Sequence, residues 1–442
     1  MLVKTNPNRK LQDQMGVKKY SKLITNPFIL FAPFLLLYII VIIVFRSAIM
    51  KGDESRYLIY AQYMINGFIP KSDIGFDTLG NGPGYSMFLI PFVELKASVF
   101  LITLLNVFFY YLSIVLLYKS LRKIVSPKLT LICSIFWALY FNLYETILLI
   151  LPETFVTFLI SSLIYCSINA FKEQETKKLN KYICIAGFLI GYIALTKPIF
   201  GYVMFTMLTA SAILLIIKRT IHFQKLFILL FIAFLTTIPY LSYTYHVTNK
   251  IFYWSTVGGN NMYWMSSPYK NEYGDWFPDP EENTIGTDST SVDYHIKLNH
   301  LEDFKEINKS TTKVERDDAF KAITLRNIKS HPLKYIQNCI SNLGRMFFNY
   351  PYSYRYAKSR TLVRLPFNGI LSVLMLVCFI PTIKNWNKID FAIRFLSFFA
   401  LIYLGGSMFG SSETRMFTVI APIILVCIAF IIQRSIKMKL KW

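Results

Sequence analysis

Charge is scarce in this chain. Asp, Glu, Lys and Arg make up only 16% of its 442 residues, against about 25% in a typical soluble domain, while apolar residues reach 54%. That is the composition of a chain that folds into lipid. Acid is scarcer than base, with 25 Asp and Glu against 47 Lys and Arg, for a net charge of +22. Such an excess would suit a nucleic-acid partner if the cations shared one water-exposed face, but here they fall between hydrophobic runs. There are five histidines and six cysteines. The histidines form no HExxH and no Cys/His pairing of zinc-site spacing, and His295 and His300 read as ordinary loop residues. Every cysteine but Cys339 lies within an apolar run, as a small hydrophobe rather than part of a disulfide framework. No repeat of solenoid period and no low-complexity stretch is present, and 38 Phe with 29 Tyr exclude disorder.

Long apolar runs, by contrast, are abundant. Ten have about the 17 to 25 residues needed to cross a hydrocarbon core: 27–49, 97–118, 129–148, 153–171, 182–197, 199–217, 225–245, 365–383, 390–409 and 416–433. The first is too long for a cleaved signal and is read as a retained helix. Lys and Arg gather in alternate connections: Lys4 to Lys22 before the first span, Lys119 to Lys128, Lys172 to Lys181, Lys218 to Lys225, Lys384 and Lys388, and Arg434 to Lys441 after the last. By the positive-inside rule these face the cytoplasm, with both termini. The expected organisation is an all-α polytopic membrane protein: a transmembrane module over 1–245 that includes a first outer loop (50–96), an extracytoplasmic region over 246–364, and C-terminal transmembrane helices over 365–442.

The first outer loop opens with the adjacent carboxylates Asp53 and Glu54. On position alone they could be solvated interfacial charges. Tyr57, Tyr60, Ala61 and Met64 then repeat at helical spacing, so the segment reads as an amphipathic helix on the membrane surface with Asp53 at its N-terminal end. A loop with Asp73 and Asp77 follows, then an apolar stretch at 83–95 too short to be a span. The second outer region begins with aromatics (251–269) suited to a membrane interface or a sugar-stacking surface, and it shows helical character from Thr311 to Lys329.

These motifs, in this order, resemble the polytopic, lipid-phosphosugar-dependent glycosyltransferases of the GT-C fold, in the branch of protein O-mannosyltransferases and lipid A aminoarabinose transferases. The matches are the acidic pair Asp53-Glu54 followed by Arg56, Tyr57 and Ala61; Pro83-Gly84-Tyr85 starting a second interfacial helix; Leu151-Pro152-Glu153; Ala194 to Pro198 with Lys197; Gly258-Gly259-Asn260; His331-Pro332; and Glu413-Thr414-Arg415 before the last span. The chain departs from the aminoarabinose branch where that branch has Lys before Pro-Pro: here the run is Gly80-Asn81-Gly82-Pro83. The resemblance implies transfer of a sugar from a polyprenyl phosphate to an extracytoplasmic glycan, lipid or protein acceptor, with inversion. The lipid donor would enter between helices, and its phosphosugar would reach a cavity roofed by the two outer regions.

Such a transfer needs a carboxylate base for the nucleophile and cations for the departing phosphate. Asp53 is the expected base. Glu54 is its alternative, or a partner for Arg56. Glu153, a carboxylate between two apolar runs, is expensive unless it meets a cavity or a partner; it could equally mark a short turn, as could Glu145. Lys197 could meet a lipid phosphate or snorkel to the interface. Arg415 can bind phosphate bidentately with Glu413 orienting it, or the two could form a surface ion pair. Tyr57, Tyr85, Asn260 and Arg345 are further candidate substrate contacts, and His331 is expected to cap the helix after it. No DxD motif occurs in the first loop, so no obligatory cofactor or metal is expected, although Asp73 and Asp77 leave room for a divalent cation. Two other classes compete. An O-antigen polymerase or ligase carries its chemistry in basic loop residues, and a lipid or polysaccharide flippase needs ionisable residues near the midplane of several spans, usually with symmetry between halves.

Overall fold

In the computed structural model the described residues are 26–47, 49–67, 79–172, 180–279, 291–355 and 361–437. They form helices and turns, with no strand among them. The bases gathered before Lys22, between Glu173 and Leu179, and beyond Lys437 lie outside the described residues, as do Asp73 and Asp77.

An apolar helix lies within each of the ten runs, but seven are long enough to cross a membrane: α5 (Val99–Leu121), α8 (Pro152–Lys172), α10 (Ile199–Lys218), α11 (Ile221–Thr248), α16 (Thr361–Lys384), α17 (Phe391–Met408) and α18 (Thr414–Lys437). The first run is divided by Phe31 into α1 (Pro27–Leu30) and α2 (Ala32–Phe45). The third is divided into α6 (Pro127–Ala138) and α7 (Phe141–Thr146). A helix end exposes carbonyls that need donors, and buried tyrosines supply them: Tyr38 Oη donates to the Ala138 carbonyl at 2.7 Å, and Tyr110 Oη donates to the same oxygen at 3.2 Å. The fifth, α9 (Lys181–Thr196), stops because Pro198 drives the preceding Lys197 out of the helical region, to φ −129° and ψ 103°.

Helix α8 is the centre of the bundle. It packs against α5, α9 and α18, and α9 lies along α11. Val156, Ile160, Leu163 and Ile164 on α8 are fully buried. Outward faces stay apolar, with Ile216, Ile217, Leu376 and Val377 well exposed, as a lipid-facing surface requires.

The segment expected as the first outer loop forms α3 (Glu54–Ile65) and α4 (Pro83–Glu94). The region expected as the second holds α12 (Gly258–Met265), α13 (Val292–Ile307), α14 (Lys313–Ser330) and α15 (Pro332–Phe348) around its own small core of Tyr263, Trp264, Phe304 and Phe320. Helix α14 starts with a capping box between Thr312 and Glu315. His295 and His300 lie on α13 rather than in a loop. His300 is buried with Nε2 2.7 Å from Glu272 Oε2, and His295 stacks on Tyr354. His331 stands at the start of α15, but its side chain makes no capping hydrogen bond. On α15 the usual pattern is reversed: Leu333, Ile336 and Ile340 are exposed while Asn338, Asn342 and Arg345 are buried.

Candidate active site

Asp53 sits at the N-cap of α3, where its side chain makes no capping bond and stays about one-third exposed. One carboxylate oxygen lies 3.3 Å from the Arg56 guanidinium and the other 3.6 Å from that of Arg415. Arg415 opens α18, is itself about one-third exposed, and lies 3.6 Å from Glu413. These separations exceed hydrogen-bond length, and the Arg415 Nε has no hydrogen-bond partner. An oxyanion offering bidentate geometry would be a better partner than either carboxylate.

Glu54, one residue on, has a different environment. It is fully buried and held in a double contact by Arg46, at 2.8 and 3.2 Å, while its oxygens accept the Lys51 N–H at 2.6 Å and the Ile150 N–H at 2.8 Å. Its partner is thus Arg46 and not Arg56, which pairs with Asp53. The bond to Ile150 also fixes the turn at 147–151, whose Leu149 carbonyl accepts from Asn106 at 2.7 Å. The next residues are Pro152 and Glu153 at the head of α8. Arg46 was not among the residues expected here; its signal is a cation at the outer end of an apolar run, eight positions before a carboxylate.

Glu153, which follows the turn at 147–151, is buried and meets Lys197 at 2.9 Å, also buried, so the ammonium does not snorkel and the carboxylate has a partner. Lys197 Nζ lies 3.8 Å from the Met416 sulfur, which ties it to the residue after Arg415. Tyr57 and Tyr85 are buried edge to face at 5.3 Å beside this pair. Burial first, then the Glu153 charge, pushes the Tyr57 phenol well above its ordinary pKa; burial and Tyr57 do the same for Tyr85. Neither phenol is an acid or base near neutrality.

The site is assembled by close approach of backbones. A Cβ on Gly82 would lie 2.1 Å from the Leu195 carbonyl oxygen, and one on Gly84 would lie 2.5 Å from Thr196 Oγ1. The start of α4 therefore rests directly on the end of α9, next to Lys197, and Tyr192 donates to the Gly84 carbonyl at 2.9 Å. Across the top, Thr256 N–H donates to the Leu79 carbonyl at 3.1 Å and Ser255 to the Gly80 carbonyl at 3.0 Å, joining the two outer regions.

Arg345 stands behind this cluster rather than in it. It is fully buried and donates to the carbonyls of Tyr273 at 2.6 Å and Pro351 at 3.3 Å and to Asn342 at 3.0 Å. Asn342 in turn donates to the Ser407, Met408 and Gly410 carbonyls and accepts the Ser412 N–H. Together they brace the segment that carries Glu413 and Arg415. Asn260 is one residue from the Asn261 carbonyl, which accepts the Ser411 N–H at 3.1 Å, so α12 buttresses the same segment. Asp317 holds the start of α12 by accepting the Gly259 N–H at 2.6 Å. Glu145 pairs with Arg364, linking α7 to α16. Among the described residues no cluster of His, Cys, Asp and Glu could hold a metal.

The arrangement is that of the GT-C fold. Residues 81–243 match the family model described as Dolichyl-phosphate-mannose-protein mannosyltransferase. The crystal structure of the Archaeoglobus fulgidus oligosaccharyltransferase tethered with an acceptor peptide shares the fold with a TM-score of 0.51 at 12% identity, over 92% of this chain and 50% of that one. This chain thus spans half the length of that relative. ArnT from Cupriavidus metallidurans bound to undecaprenyl phosphate also aligns, over 92% of this chain and 78% of its own, at 10% identity and a TM-score of 0.39. No curated protein matches the sequence. The fold expected from the motifs is borne out: the chain is an all-α polytopic membrane protein with the GT-C fold, and its match to the mannosyltransferase family model covers residues 81–243.

Proposed function

We propose that this protein is a glycosyltransferase of the cytoplasmic (inner) membrane that moves a sugar from a polyprenyl phosphate to an acceptor hydroxyl on the extracytoplasmic side, with inversion. The acceptor oxygen attacks the anomeric carbon, the bond from that carbon to the phosphate oxygen breaks, and the hydroxyl proton passes to Asp53. The leaving phosphate takes its charge onto Arg415, with Lys197 adding to the positive field from behind Met416. Positive charge is thus supplied by side chains, and the proposal calls on no obligatory metal. One observation supports the assignment above the others: Asp53 is an accessible carboxylate flanked by two guanidinium groups, while the neighbouring Glu54 has its oxygens fully engaged.

The test works whichever sugar the lipid carries. Cells lacking this protein should accumulate a phosphosugar polyprenyl lipid, and reintroduced wild type should clear it. Asp53→Asn should insert normally yet clear it at least about 100-fold more slowly, the usual scale of general-base loss. Glu54→Gln should instead leave Arg46 buried without its countercharge, a loss of about 3 to 5 kcal/mol, and show lowered protein yield. No accumulation, or full clearance by Asp53→Asn, would refute the proposal.

A further inference from the structure

Far from Asp53, about 28 Å along α18 from Arg415 at 1.5 Å per residue, the bundle holds a cavity of about 740 Å³. It lies between the α5–α6 connection, the turn at 385–389 and the last turns of α18. Three cations line it, Lys123, Lys388 and Arg434, and no carboxylate does. A smaller neighbouring cavity shares Lys123 and Lys388 and adds Arg394 and Asp390. The compensation is weak. Asp390 is exposed and 3.7 Å from Arg434, while Lys123 reaches the neutral Asn169 and lies over the Tyr165 ring. The remaining wall is mainly apolar, with Ile389, Phe430 and Ile431 among it, and its other polar groups, Ser126, Asn385 and Gln433, are neutral. The last turns of α16, which lead into Asn385 of the cavity wall, expose Phe379, Ile380 and Ile383, an apolar surface open to lipid. These residues also belong to the connections whose basic charge marks the cytoplasmic side.

We infer that this cavity holds the headgroup of an anionic phospholipid of the cytoplasmic leaflet, its phosphate on Lys123, Lys388 and Arg434 and its chains directed toward the exposed apolar end of α16. A free anion would gain nothing from the apolar wall, and a zwitterionic headgroup would set its own cation among three others. Basic pockets between helices on the cytoplasmic side are where such headgroups are held. The inference does not depend on Asp53 or on sugar transfer.

The full chain, purified in detergent and exposed to equimolar phosphatidylglycerol and phosphatidylethanolamine, should retain the anionic lipid preferentially in native mass spectra. Lys123→Gln/Lys388→Gln/Arg434→Gln should reduce that preference at least about tenfold, whereas Lys123→Arg/Lys388→Arg should keep it. Equal retention of the two lipids by wild type, an unchanged preference in the triple variant, or loss of preference in the charge-retaining variant would overturn the inference. So would complete displacement of the lipid by millimolar glycerol phosphate, which would mark a site for a soluble anion. Clearance of the phosphosugar lipid is a separate readout, so failure of one reading leaves the other standing.

Discussion

Adjacent residues on a helix point about 100° apart, and at the start of α3 that angle separates two carboxylates by role. Asp53 faces Arg56 and Arg415 with its oxygens accessible; Glu54 faces Arg46 and two backbone N–H groups from within the protein. A similar contrast holds for the two cations assigned to phosphate. Arg415 is about one-third exposed and loosely paired, so Arg415→Gln should insert normally and weaken donor use, raising the donor concentration needed for half-maximal transfer by at least about tenfold, since loss of a desolvated charge contact costs about 2 to 5 kcal/mol. Lys197 is buried against Glu153, so Lys197→Gln leaves a buried carboxylate without its partner. That variant should lose stability first, by about 3 to 5 kcal/mol, and Lys197→Gln/Glu153→Gln should recover much of the loss. Transfer kinetics beside thermal unfolding of the purified variants separate the two cases. Normal donor use by Arg415→Gln would return Arg415 to a surface ion pair.

At the scale of elements, the site depends on how closely α4 can approach α9. Any side chain at Gly82 would meet the Leu195 carbonyl oxygen at 2.1 Å, and backbone at a helix end cannot give way as a flexible side chain can. Gly82→Ala should therefore push α4 off α9 and lower transfer with little effect on expression, while Ala at Gly369 within α16, where no atom comes within 4 Å, should not crowd any neighbour. Equal activity of Gly82→Ala and wild type would show that this contact does not set the site. In the 246–364 region the buried Glu272 accepts from Ser267, just beyond the end of α12, and from Asn299 on α13, and lies 2.7 Å from His300 Nε2 on the same helix. Burial raises its pKa, but the bonds from these partners and the His300 charge outweigh it and hold the carboxyl below its ordinary value. A depressed folded pKa contributes stability above the unfolded value of about 4.3 and loses it as pH falls through the lower folded value. The unfolding temperature of wild type should accordingly exceed that of Glu272→Gln near neutrality, and the gap should close as the solution is acidified below that range. A gap independent of pH would mean that Glu272 acts by shape alone.

At the scale of the whole molecule, the seven long helices and three shorter ones must put residues 50–67 and 246–279 outside for the donor sugar and its base to share a compartment. Single cysteines introduced at Arg56 and Lys270 should react with an impermeant maleimide in intact cells, whereas one at Lys388 should react only after permeabilisation. Labelling of Arg56→Cys from the cytoplasmic side alone would separate Asp53 from an extracytoplasmic acceptor. Much of this architecture is legible in the chain itself. Apolar run length, basic connections and the order of short motifs depend on local composition, so the helical membrane class, the interfacial helices α3 and α4 and the segments that meet at Asp53 can all be read. Helix ends cannot, because α6 ends where Tyr38 and Tyr110 take its last carbonyl, and those rings come from elsewhere in the chain.

The chain's own sequence determined that it enters lipid, because sixteen charged residues per hundred are too few to solvate its surface, and it identified the segments whose residues would do chemistry. Tertiary structure alone decided which charges meet and which are buried. Arg46 lies 8 positions before Glu54, Lys197 lies 44 after Glu153, and Arg415 comes to Asp53 from the start of the last helix. A charge buried with its counterion becomes structural and one left accessible beside cations can react, and that difference arises from packing between helices distant in the chain, which no local pattern encodes.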